Sequence, residues 1–328
     1  MEHRNRINRA MATRFASSTP MPFEANYPGV SPQLMARTRQ MWSARGLDLD
    51  TVWRDTIGRF RGLGTVGWPN FEENSGPVDQ FFMFEQAAIW VASLNATAAI
   101  AIDMSLTRLT TPQWRALHAL TFRMIEQLDA FRLLFLTELP TPSMQIARTI
   151  SEDIDMALAF VSRPKLAARF IECSTIEEAN EFWRRHIAGG RAFKAVSEQL
   201  YRSGLEFDQS GEYAAWRKNV KAILGTAVHT SFRSPRSADA KHPQGRLHDG
   251  CDCLYFVTLR LQEMCAYSHG LTKSFGEDLE SIHQQNPSAT DEGLGCLTAR
   301  ISEITVDQLR WTLTNSEAQS APLSQQLH

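Results

Sequence analysis

Residues 79–103 read DQFFMFEQAAIWVASLNATAAIAID, and the 17 residues from Gln86 to Ile102 carry no charge. The run is too long for a single strand. It is short for a bilayer span and is interrupted by Gln86, Ser93, Asn95 and Thr97. It therefore predicts a core helix from Asp79 to about Thr107, apolar on all sides. A helix of that kind has to be covered by other helices, because it has no polar face to give to water.

The flanking sequence supplies those helices, and their boundaries are marked by proline and by capping residues. Ser31-Pro32 opens a run ending at Gly46, and Asp48 or Asp50 caps a short helix with Val52 and Trp53 on it. Glycine and proline between residues 61 and 80 predict a loop. Thr111-Pro112 opens a helix reaching Pro140, Thr141-Pro142 opens one ending before Pro164, and residues 164–173 form a short segment. Ser174 with Glu177 reads as a capping box for a helix toward Gly204, kinked at Gly189-Gly190. Ser210 caps a helix reaching His229. After a polar loop at 231–250, helices are expected from Cys251 to Ser268, near Glu277 to Gln285, and from Thr290 to Thr314 with a break near Thr305. Ala299 to Val306 is the one segment that would also suit an extended form.

The predicted fold is all-α: an irregular multi-helix bundle with an N-terminal helical arm. Residues 1–30 form a flexible basic N-terminus, 31–78 the arm and its loop, 79–314 the main bundle, and 315–328 a disordered tail. The tryptophans of the arm, Trp42, Trp53 and Trp68, are placed to pack on the bundle or to reach a second subunit.

Composition narrows the function classes. A net charge of −2 gives no pull toward nucleic acid or anionic membrane, so nucleic acid is an improbable partner and a membrane is not expected. Only six of the 34 basic residues are lysines, and the arginine excess suits paired, bidentate contacts. Five irregularly spaced cysteines do not make a disulfide framework and point to a reducing, cytoplasmic setting. Arg4, Arg6, Arg9 and Arg14 against the single acid Glu2 allow a second reading of the N-terminus, as a targeting segment.

No motif fixes a reaction: phosphate loop, nucleophile elbow and His-Glu-x-x-His are all missing. Helical ribonucleases with arginine four to six residues before histidine find only Arg236 and His242 here, in a loop. Glu280-Ser-Ile-His283 is a single Glu-x-x-His where a di-iron bundle needs two. What remains is polar groups on apolar helices. Arg148 and Glu152, four apart, share a face, with Asp155 three beyond, among Ile146, Ile150 and Ile154. His118, His186 and His229 are histidines that could join them. Arg148 as anion anchor with Glu152, His186 and His229 as acid and base would give a hydrolase or nuclease. His242, His248, Cys251 and Cys253 are a candidate zinc set, although H-x5-H-x2-C-x-C is not a common zinc spacing. No cofactor is expected.

Between residues 147 and 231 the chain resembles an uncharacterised family of bacterial all-helical domains. The matching residues are Ala147-Arg148-Thr149-Ile150 with Glu152, Arg163-Pro164 with Ala168 and Phe170, Phe182-Trp183, Tyr213, and Val228-His229-Thr230-Ser231. The resemblance implies an all-helical fold of bacterial or phage origin, names no activity, and raises Arg148, Glu152 and His229 as a shared pocket. The expectation is a binding or assembly protein, an accessory or defence component acting on a protein partner or as a homo-oligomer. The alternative is the hydrolase or nuclease above.

Overall fold

The computed structural model describes residues 23, 27, 29–57, 75–104, 107–137, 139–202, 219–220, 222–225, 250–285 and 293–319. The described chain is helical, without strands. Helices are α1 Pro32–Ser43, α2 Leu49–Ile57, α3 Ser75–Asp103, α4 Thr111–Leu136, α5 Pro140–Ser162, α6 Pro164–Glu172, α7 Ile176–His186 and α8 Arg191–Arg202. They continue with α9 Gly250–Leu271, α10 Lys273–Gln285, α11 Gly293–Cys296 and α12 Thr298–Gln319.

Helix α3 is the axis of the bundle, and every residue from Phe81 to Ala98 is buried. Helices α4, α9, α11 and α12 pack around it, and α5 closes the outer side against α4 and α9. The polar residues of the charge-free run are each tied to a neighbour. Trp42 Nε1 donates to Gln86 Oε1 at 3.1 Å, and Asn95 Nδ2 donates to the His118 carbonyl at 3.0 Å. Thr97 Oγ1 donates to the Gly295 carbonyl at 2.6 Å. A buried amide or hydroxyl without such a partner would cost free energy. The run is thus cut for a protein interior, and no described helix is long and apolar enough to cross a membrane.

The punctuation is on the mark at Ser31-Pro32 and Thr111-Pro112 and a few residues away elsewhere. Thr110 is the N-cap of the helix that Thr111 opens, and its N–H donates to Gln113 Oε1 at 2.9 Å. The box on α7 is Thr175 with Glu178, one residue later than expected, with Glu178 N donating to Thr175 Oγ1 at 3.2 Å. Helix α3 begins at Ser75, inside the expected loop, because Pro77 in a first turn has no intrahelical donor to lose. The break at Gly189-Gly190 is present as a 3-10 turn, with Gly190 at φ +74°. The final helix is unbroken at Thr305 and not extended over Ala299 to Val306. The interruption falls earlier, between α11 and α12, and α12 keeps helical form to Gln319.

The arm is part of the core: Trp42 is 1% exposed, and Trp53 is buried with Phe23 and Tyr27. Phe23 meets Trp53 edge-on at 5.5 Å and Tyr27 meets Phe82 edge-on at 5.0 Å. Trp68, most of residues 1–30, the loop at 231–249 and residues 320–328 lie outside the described residues.

Candidate functional site

Of the four residues expected to form a catalytic pocket, three lie among the described residues, and two of these, Arg148 and Glu152, are in contact. Arg148 and Glu152 pair along α5, Nε to Oε1 at 3.2 Å, both partly exposed. The Arg148 guanidinium lies against Gly225, where a Cβ would sit 2.5 Å from Nη1. His186 ends α7, its ring 4.9 Å from that of Phe182, in the field of Arg163, Arg169, Arg185 and Arg191. Partial burial, seconded by those arginines, holds its pKa below the ordinary histidine value. His229 is outside the described residues.

Of the zinc set, only the cysteine end falls among the described residues. Cys251 and Cys253 both lie on α9, two residues apart. Cys253 is buried in the bundle core. His242 and His248 fall outside the described residues, and no metal-capable cluster occurs among the described ones. Glu280 pairs with Arg300 at 3.2 Å, while His283 Nδ1 lies 2.9 Å from the Cys296 carbonyl, so that Glu-x-x-His is structural.

Interhelical ion pairs, unforeseen in the sequence, occupy the interior. Arg260 of α9 reaches Asp155 of α5, Nη2 to Oδ1 at 2.6 Å, and also pairs with Glu263. Arg132 of α4 reaches Glu85 of α3 at 2.6 Å, and the Tyr27 hydroxyl donates to the same carboxylate. Burial pushes the Glu85 pKa up against the opposing pull of Arg132, and burial likewise raises that of Tyr27. The void beside Glu85 and Arg132 measures about 10 Å³, room for one water at most. These pairs hold helices together, and removing one partner of such a pair costs about 3–5 kcal/mol.

The larger opening is a cleft of about 400 Å³ between the end of α1, α9, α10 and α12. Its rim is charged but internally compensated. Arg45 holds Glu303 at 3.2 Å and also Asp307, while Arg300 holds Glu303 at 2.7 Å and Glu280 at 3.2 Å. His269 lines it, and its buried Nε2 has no hydrogen-bond partner among the described residues. Its ring meets Phe275 edge-on at 5.2 Å, and a Cβ at Gly276 would sit 2.9 Å from its Nδ1. Burial depresses its pKa, opposed by Glu303.

No family model, no curated protein and no solved structure matches the chain. The likeness read over residues 147–231 therefore rests on its own residues alone.

Proposed function

We propose that this chain is a binding and assembly protein. One observation carries the reading: the Arg148 guanidinium, the expected anion anchor, is committed to Glu152 four residues along the same helix. A hydrolase needs nucleophile, base and anion-holding group around one reacting atom. Here arginine after arginine is spent on a carboxylate of the same chain, an arrangement that builds a rigid body. The setting that suits it is a bacterial cytoplasm, in keeping with the reducing character of the cysteine pattern and with the residues shared over 147–231.

The enzymatic alternative moves to His269, which combines an unpartnered ring nitrogen, a pKa lowered by burial and open volume. Purified chain assayed at pH 7 against phosphodiester, phosphomonoester and carboxylic ester substrates separates the two. The expected result is no turnover above buffer. Turnover abolished by His269→Ala, or by Arg148→Ala, would overturn the binding reading.

A further inference from the structure

Helix α7 stands apart from the body of the protein. All of its residues are exposed except Phe182, which is buried against Phe170, and His186, which is half-buried. Ile176 is 75% exposed and Trp183 is 50% exposed. Seven residues separate them, so they lie on one stripe, with Asn180 midway between. Glu177 and Arg184, also seven apart, form the adjacent stripe. The other charges of the helix are already engaged: Glu178 caps the helix start, and Glu181 pairs with Arg185. Glu177 and Arg184 have no ion-pair partner among the described residues.

We infer that α7 is a self-association surface on which a second copy of this chain docks its own α7, antiparallel, about a two-fold axis near Asn180. The pattern is self-complementary in the manner such an interface requires, with residue i meeting j and j meeting i. Ile176 packs on Trp183 of the second copy, and Trp183 on its Ile176. Glu177 faces Arg184 of the second copy, and Arg184 its Glu177. A parallel arrangement would bring Glu177 against Glu177 and Arg184 against Arg184. Acid at one end and base at the other thus select a second copy running the opposite way. An eleven-residue helix spans about 16 Å, so the contact is small and the association weak and concentration-dependent.

This inference rests on the binding-and-assembly reading, and the two fail on different readouts, one on turnover and the other on mass. Light scattering on the full chain from about 1 to 200 µM, a range that brackets weak association, should show mass rising from 37.0 kDa toward twice that value. Glu177→Arg and Arg184→Glu should each weaken association on the order of tenfold, while the double reversal restores it, because the pair is then only inverted. Both positions are exposed, so unchanged circular dichroism is expected for all three variants. A constant single-chain mass overturns the inference. So does association indifferent to the single reversals, or a double reversal that fails to restore it. Were the arginines around His186 instead a seat for polyanions, mass would stay single and a fluorescent oligonucleotide would bind and be lost in Arg169→Glu.

Discussion

At Asp153, burial outweighs two favourable partners. Arg123 approaches at 3.2 Å and Gln127 Nε2 donates at 3.0 Å, yet burial pushes the carboxyl up to about 6 from its ordinary 3.8. The folded state therefore keeps a proton between pH 4 and 6 that the unfolded chain has released. Stability from this group is full below the unfolded pKa and is lost as pH rises through the folded one. Asp153→Asn should match the parent near pH 4 and exceed it above pH 6 by on the order of 2–3 kcal/mol. Urea unfolding midpoints at pH 4 and pH 7 check this, and a variant less stable at pH 7 would mean the Arg123 contact dominates. Legibility differs sharply between residues of this kind. Arg148 with Glu152 is visible in the sequence because an (i, i+4) spacing brings two side chains together whatever the tertiary fold. Asp155 with Arg260, 105 residues apart, is not, because only the packing of α5 on α9 creates the pair. His269 goes unnoticed for the same reason: its last-turn position is favourable for any histidine, and the cleft in front of it belongs to four helices.

Elements were legible where a residue acts on its own backbone. Proline in a first turn locates α1, α4, α5 and α6, since its lost N–H is harmless there and nowhere else in a helix. The false break at Thr305 shows the limit: Thr305 Oγ1 donates to the Ile301 carbonyl at 2.9 Å, so a residue of low propensity is accommodated within α12. The interruption observed lies between α11 and α12, and α11 is held close against α3. A Cβ at Gly295 would lie 2.8 Å from the Ala96 carbonyl carbon and 2.8 Å from the Thr97 nitrogen. Backbone on backbone leaves nothing to swing aside. Gly295→Ala should destabilise the protein by about 1–3 kcal/mol through forced separation of α11 from α3. Thermal unfolding measures it, and an unchanged midpoint would show that the two helices are free to slide.

For the whole molecule, the expectation of an all-α bundle holds, and the described part of the N-terminal arm packs on it. Trp42 and Trp53 fill the space beside α3, Ser31 N donates to Asp79 Oδ1 at 2.8 Å, and Arg45 reaches α12. The arm and bundle should therefore unfold in one transition. Trp42→Ala should cost about 3–5 kcal/mol, the range for emptying a large aromatic from a core. It should lower the melting of the entire helical signal and not of a fraction of it. A biphasic melt, with the first phase alone shifted, would make the arm a separate unit.

Phe182 is the one buried anchor of α7, and that has a consequence for how the molecule ages in the presence of a protease. A rod held at one point opens locally at little cost, long before the bundle does. Arg184 and Arg185 then enter a trypsin active site, so the earliest cuts among the described residues should separate the polypeptide there, leaving α3 through α5 intact. Mass spectrometry of the nicked product would locate the cleavage. Protection of that bond in concentrated solution, and its loss on dilution, would report the two-fold contact without any substitution.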